Sequence, residues 1–547
     1  MRQFNHAGVN TSASIPITIK TMYTIILLKR FRTRLFALGC ISALLWSCTT
    51  LAQQHKTDEA KPNIIYILAD DLGYGELGCY GQEKIETPNI DALSRTGMMF
   101  TDHYAGAPVC APSRGVLLTG KHSGHAYIRG NDGMSSRGDV WNYMAMARDS
   151  TLEGQRPLPE GTITLGTKLQ EAGYKTAAVG KWGLGGPGSE GTPNKQGFDH
   201  FYGYLCQRQA HTYYPLHLYE NEHRVYLNND TVAFRTKLAE NADPLNEKSY
   251  APFTLTEYSP DLMFDDISKF IDTNHGQSFF LYWATPIPHA AIQAPKRWVD
   301  YYVDKFGDEE PYTGDKGYFP HRYPRAGYAA MVSYLDEQIG LLINQLKELG
   351  VYEKTLIVFT SDNGPTYNGG TDSPWFDSAK PFRSDYGRGK GFVYEGGIRV
   401  PMIASWPGHI ESGSTTNLIS SFTDMMPTFC DLAGVSPPED IDGISIVPTL
   451  LGKPGQKTHD FLYWEFPSYG GQQAVRMGKW KIIRKGLLKK QPVIELYNLE
   501  EDLLEEQNLA EKHPDIINKA LQLFQQEHEE PLVNNFKIPF LGDHKEM

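Results

Sequence analysis

The sequence predicts an α/β fold in which a mixed, mainly parallel sheet is sandwiched by helices, followed by a smaller C-terminal subdomain of antiparallel strands and a helix. Short runs that are apolar at every position recur along the chain, as in strands buried on both faces. Amphipathic helical stretches alternate with them, the pattern that covers a sheet on both sides. The apolar runs also lead into residues capable of chemistry. "NIIYILADD" ends in Asp70 and Asp71, "TAAVGKWG" carries Lys181, "FFLYWATPIPH" ends in His289, and "TLIVFTSDNG" carries Asp362 and Asn363. Ligands of open α/β sheets bind beyond the carboxyl ends of the strands. These residues, remote in sequence, are therefore expected to meet in one crevice.

Taken in order, the first fifty residues stand apart. "KRFRTR" precedes the apolar "LFALGCISALLW", and small and polar residues follow through "CTTLA". That is the order of a secretory signal peptide, cleaved after Ala52. The apolar run is too short for a stable membrane span, the residues before Met22 read as an upstream-start extension, and Cys40 and Cys48 sit in poor contexts for lipid attachment. Residues 1–52 are thus assigned to a signal peptide, 53–452 to the main domain and 453–547 to the C-terminal subdomain, and export to a periplasm or the medium is expected. The mature chain keeps Cys79, Cys110, Cys206 and Cys430, too few and too scattered for a disulfide scaffold, although one pair could bridge.

With 52 basic against 64 acidic residues the formal charge is -12. No basic stripe for a nucleic-acid backbone is present. Any anionic substrate must be held by a few local cations. "YAAMVSYLDEQIGLLINQLKELG" places Met331, Leu335, Ile339, Leu342, Leu346 and Leu349 at helical spacing with Gly350 at the C-cap. The stretches 130–159 and 185–260, rich in Tyr, Arg, Asn and Gly, read as long insertions that shape a pocket. Beyond about Gly452, "AVRMGKWKIIRKG" and "VIELYNLEEDLLEEQNLAEKHPDIINKALQLFQQEH" read as short antiparallel strands and a charged helix.

Asp70, Asp71, Asp362 and Asn363 offer hard oxygen ligands, suited to Ca²⁺ or Mg²⁺ rather than zinc. Arg114, Lys181 and Lys390 can form an anion clamp around such an ion, and His289 can touch the same anion or assist a leaving group. Cys110, in "PVCAPSRGVLLTGKHSGH", is a buried thiol, a thiol nucleophile, or the precursor of another group.

The runs "ILADDLGYGELGCYG", "CAPSRGVLLTG", "VGKWGLG", "PIPHAAIQAP", "FTSDNGP", "GRGKGFVYEGGIRVP" and "TDMMPTFCDLAG" together resemble the type I sulfatase family, in the family's motif order and over nearly all of the mature chain. They are similar in particular to bacterial carbohydrate sulfatases. The resemblance implies an alkaline-phosphatase-like fold and oxidation of Cys110 to Cα-formylglycine by a formylglycine-generating or anaerobic sulfatase-maturating enzyme. The hydrated aldehyde is then a geminal diol, of which one hydroxyl attacks sulfur and the other collapses to expel sulfate. It further implies Ca²⁺ held by Asp70, Asp71, Asp362, Asn363 and an oxygen of the modified Cys110. By the same likeness Arg114 pins the diol, and Lys181, Lys390 and His289 grip the sulfate, with His289 or Lys390 protonating the departing oxygen.

One position departs from the family, which reads G-K-W-H-L-G where this chain has "GKWGLG", with Gly183 in place of a proton-accepting histidine. His211 in "CQRQAHTYYPLHLY" is the candidate replacement and His125 a second one; His211 as a rim residue touching only substrate is the alternative. The expected substrate is a sulfated galactose or N-acetylgalactosamine. Arg129, Asn131, Arg208, His211, Tyr213, Trp375 and Arg383 are the polar or stacking residues expected to contact it. Other readings are an arylsulfatase of broad specificity, a phosphoester hydrolase, which would call for zinc and a Ser or Thr nucleophile, and a non-catalytic receptor for sulfated glycans.

Overall fold

Ten strands form the main sheet of the computed structural model, which describes residues 61–489 and 492–545. Four parallel neighbours lie at its centre, in the spatial order Thr355–Ser361, Asn63–Ala69, Phe279–Ala284 and Lys175–Lys181. Every residue of the first three is buried. The reason is visible in the alternation of Asn63–Ala69. Ile65 and Ile67 pack on one face with Leu335 and Ile339 of the long helix, and Ile64, Tyr66 and Leu68 pack on the other with Leu117, Met426 and Phe429. Full burial of such a side chain contributes about 1.5–3 kcal/mol, so the strand ends are fixed by a core on each side.

The sheet is mixed because Met402–Ser405 runs antiparallel to Thr355–Ser361 and a hairpin of His217–Glu220 and His223–Tyr226 closes the opposite edge. The long helix spans Pro324–Glu348 and is capped by Leu349. Gly350 therefore stands one position beyond the expected cap, with φ +67°, the left-handed conformation that follows many helix ends. The Cys110–Thr119 helix begins at the cysteine itself, and its first nine residues are buried.

Near the C-terminus, Leu462–Phe466, Gln472–Met477, Trp480–Lys485 and Val493–Asn498 form an antiparallel sheet. One face packs on the Pro514–Gln526 helix through Val475, Ile482 and Phe524. The other, with Trp464, Ala474 and Ile483, shares a core with Tyr104, Val109 and Val393. The described residues from Pro62 onward accordingly form one compact unit, in which the strands beyond 453 share apolar packing with the main domain. Cys79, Cys110, Cys206 and Cys430 are free thiols. The expected signal peptide lies outside the described residues, among which no helix is long and apolar enough to cross a membrane.

Candidate active site

Cys110 opens its helix at the carboxyl ends of the four central strands, where the helix dipole favours negative charge. Its sulfur lies 3.5 Å from Asp70 Oδ1, 3.4 Å from Lys181 Nζ and 3.6 Å from Lys390 Nζ. Burial pushes its pKa up to about 12 against the pull of Lys181 and Lys390. A thiol held that high is a poor nucleophile at neutral pH, which argues against the thiol-nucleophile reading.

Asp362 and Asn363 follow the neighbouring strand, and two backbone contacts tie the acidic ends together. Asp362 N–H donates to Ala69 O at 3.0 Å and Asp71 N–H donates to Asp362 Oδ1 at 3.1 Å. Arg114, one turn along the Cys110 helix, donates from Nε and Nη2 to Asp362 Oδ2 at 3.0 and 2.8 Å, lies 3.4 Å from Asp70, and bonds the Lys181 carbonyl. Here Arg114 clamps the carboxylates. Lys181 donates to Asp70 at 2.5 Å and Lys390 to Asp71 at 2.7 Å. His289 donates Nδ1–H to Ala290 O at 2.5 Å, which leaves Nε2 3.6 Å from Asp71.

Burial raises the pKa of Asp71, which Lys390 opposes and Asp70 reinforces, and burial with Asp70 raises Asp362 to about 6. For Asp70 burial is outweighed by Lys181, His289, Arg114 and Lys390, and the group stays below the usual carboxylate range. Burial, Lys181 and Lys390 hold His289 neutral, well below 6.5.

These residues fit a hard divalent cation. Oδ1 of Asn363 is buried with no hydrogen-bond partner, while its Nδ2 donates to Asp71 at 2.8 Å. One ligand atom each of Asp70, Asp71, Cys110 and His289 lies within 4.8 Å of the others. Three carboxylates face three cations, so a divalent ion enters as a neutral set with a singly charged sulfate ester and an ionised nucleophile.

A cavity of about 300 Å³ opens onto Cys110, Lys181, His289 and Lys390. His211 is in its wall, stacked on His289 with ring centroids 5.3 Å apart and 9° between planes. Burial, then His289 and Lys181, keep its imidazole neutral. Asn131 and Arg208 also line the cavity, Asn131 accepting from Ala111 N–H at 3.1 Å and Arg208 donating to the carbonyls of Leu152 and Gly154 at 3.0 Å.

Four expected substrate contacts lie elsewhere. Arg129 is bound to Glu465 at 2.7 Å, and Tyr213 is fully buried, donating to the carbonyls of Pro286 and His289 and so positioning the His289 loop. Trp375 packs on Phe306 under the Arg325 guanidinium, and Arg383 pairs with Asp385. His125 is also remote, bonded to Asp442 at 2.9 Å and stacked on His122.

Other wall residues escaped the sequence reading. Trp141, Gln155, Gln207 and Arg235 come from the two insertions, which composition marks as pocket loops without showing which side chains turn inward. Phe466, Ser468 and Tyr469 come from the C-terminal sheet, where "FPSYGG" carries no chemical signature.

A family model described as Sulfatase matches residues 62–435, and one described as N-sulphoglucosamine sulphohydrolase, C-terminal, matches 387–530. Rat N-acetylgalactosamine-6-sulfatase is 32% identical over 406 residues, which are 71% of this chain and 66% of that one. The chain thus spans about two thirds of that relative. Human arylsulfatase A is 32% identical over 77% of this chain and 74% of its own. The crystal structure of Ps i-CgsB is 27% identical, superposes with a TM-score of 0.66 and covers 86% of this chain and 94% of that one. The strand-end carboxylates, the buried cysteine and its cations all lie within the matched segment, and the chain belongs to the sulfatase family.

Proposed function

We propose that this protein is an exported sulfatase that hydrolyses a sulfate monoester on a galactose or N-acetylgalactosamine unit, using Cys110 matured to formylglycine by a dedicated maturation enzyme. The observation that carries the reading is the position of Cys110 Sγ, 3.4–3.6 Å from Asp70, Lys181 and Lys390 at the floor of the cavity. Asp70, Asp71, Asp362 and Asn363 would hold Ca²⁺, which when bound lowers the pKa of a coordinated hydroxyl and offsets sulfate charge.

The chain's own groups divide the remaining work. Arg114 holds Asp362 and Asp70 in register with the cysteine. Lys181 and Lys390 aim ammonium groups at the sulfur position, where an oxygen of the matured residue would sit, next to the sulfate it attacks. Asp71 keeps Lys390 charged, its pKa well above 10.5 despite burial, whereas His289 is held neutral. Lys390 is thus the side chain carrying a proton for the departing sugar oxygen, and His211, neutral beside His289, is the acceptor.

The sugar assignment rests on the rat relative, an N-acetylgalactosamine-6-sulfatase, and on Ps i-CgsB, solved in complex with k-i-k-neocarrahexaose. The test is the mass of the Cys110 peptide after co-expression with a maturation enzyme, measured with sulfate release from galactose and N-acetylgalactosamine sulfates. An aldehyde at position 110 with release of sulfate is expected. Full activity with an intact thiol would overturn the nucleophile, and a matured protein that binds but releases nothing would establish the receptor reading.

A further inference from the structure

The chain carries a formal charge of -12, yet among the described residues the cavity wall contains Lys181, Arg208, Arg235 and Lys390 and no carboxylate side chain. Three of these cations have evident partners. Lys181 and Lys390 are paired with Asp70 and Asp71, and the buried Arg208 guanidinium donates to backbone carbonyls. Arg235 differs. It is exposed, and no carboxylate lies within ion-pairing distance of it among the described residues.

Its position is nonetheless defined. Phe234, the residue before it, is 3% exposed and packs edge-on against Tyr143 and His211, with centroids 5.7 and 5.2 Å apart. The Arg235 guanidinium itself lies 5.4 Å from the centroid of Trp141, whose ring also receives Arg208 at 5.3 Å. Trp141 is 50% exposed. A guanidinium resting on an indole keeps its fork of N–H donors free for a planar or tetrahedral anion.

We infer that Arg235, oriented by Trp141, forms a second anion subsite in the catalytic cavity, so that the preferred substrate carries another acidic group, a sulfate or a carboxylate, besides the sulfate that is removed. The inference rests on the sulfatase reading for the identity of the first anion, but it concerns binding and is measurable without turnover.

The experiment is calorimetric titration of the unmatured, calcium-loaded protein with three probes: N-acetylgalactosamine 6-sulfate, N-acetylgalactosamine 4,6-disulfate, and a disaccharide of the monosulfate with a uronic acid. At least one doubly charged probe should bind about fivefold tighter than the monosulfate, the gain expected of one partly exposed charge pair. Which of them gains identifies the second acid as sulfate or carboxylate. In Arg235→Gln that advantage should vanish, in Arg235→Lys it should partly return, and in Trp141→Leu it should shrink. Equal affinity for all three probes in the wild type, or an advantage that persists in Arg235→Gln, would overturn the subsite. Sulfate release by the matured protein is scored separately, so its absence counts against the hydrolase and leaves the binding comparison decisive for Arg235.

Discussion

Gln207 occupies the space that a side chain at position 183 would need. A Cβ added to Gly183 would lie 2.6 Å from both Cγ and Nε2 of Gln207, and Gly183 has φ +79°. Gln207 lines the cavity, and its Nε2 is buried without a partner. A side chain at position 183 would therefore meet the Gln207 amide, a group that cannot accept a catalytic proton.

Restoring the histidine alone should fail. Gly183→His is expected to lose roughly 1–2 kcal/mol from the left-handed backbone, with a further loss from overlap, and to show a lower unfolding midpoint without faster turnover. Gly183→His combined with Gln207→Gly should be more stable than Gly183→His by itself. Thermal unfolding and sulfate release of the three proteins decide it; a stable, faster Gly183→His enzyme would mean that Gln207 does not hold that space.

The proton-accepting role proposed for His211, which lines the cavity beside His289, has a direct kinetic test. Both His211→Ala and His211→Gln should reduce kcat by about 10²–10⁴ with little change in KM, whereas His125→Ala, whose ring is bonded to Asp442 away from the cavity, should turn over like wild type. If His211→Ala raises KM and spares kcat, the residue is a rim contact for substrate.

The oxygen donors make a metal-dependence prediction that needs no catalysis. Chelation should lower the unfolding midpoint as well as activity, and calcium, not zinc, should restore both. At a hundredfold excess over its Kd the ion should contribute about 2.7 kcal/mol of stability. Asp362→Asn should abolish the calcium-dependent shift, because it removes one anionic oxygen donor and the ion pair between Asp362 and Arg114. A midpoint insensitive to calcium in the wild type would exclude the site.

The legibility of this molecule divides along a physical line. Strands buried on both faces announce themselves by unbroken apolar runs, and the residues just beyond them are placed by the sheet, so Asp70, Asp71, Lys181, His289, Asp362 and Asn363 converge as the sequence suggests. Loop residues carry no such periodicity. Arg129 and Arg383 look like substrate contacts by type, yet each is held by a nearby carboxylate, Glu465 or Asp385. Tyr213 looks like a stacking platform but is buried beneath the His289 loop. Conversely, Tyr469 reaches the cavity only because the C-terminal sheet shares a core with Val109, next to Cys110, a tertiary fact that no local pattern encodes.

A titratable tie with a predictable pH dependence joins that sheet, at Glu465, to the segment beyond the Pro514–Gln526 helix. His528 faces a carboxylate with each ring nitrogen, Nδ1 to Glu465 at 2.8 Å and Nε2 to Asp543 at 2.8 Å. Two acceptors can be satisfied together only by the imidazolium. Burial opposes that charge, but Glu465 and then Asp543 outweigh it and raise the pKa above the ordinary 6.5. A folded pKa above the unfolded one stabilises fully below about pH 6.5 and is lost as pH rises through the folded value. His528→Gln should therefore lower the unfolding midpoint most near pH 6, with the gap to wild type narrowing as pH climbs past the raised pKa. Because Glu465 precedes Phe466 in the cavity wall and also receives Arg129, the variant should raise KM over the same acidic range. A stability difference that stays constant from pH 6 to pH 9 would show that His528 is packed there as a neutral ring.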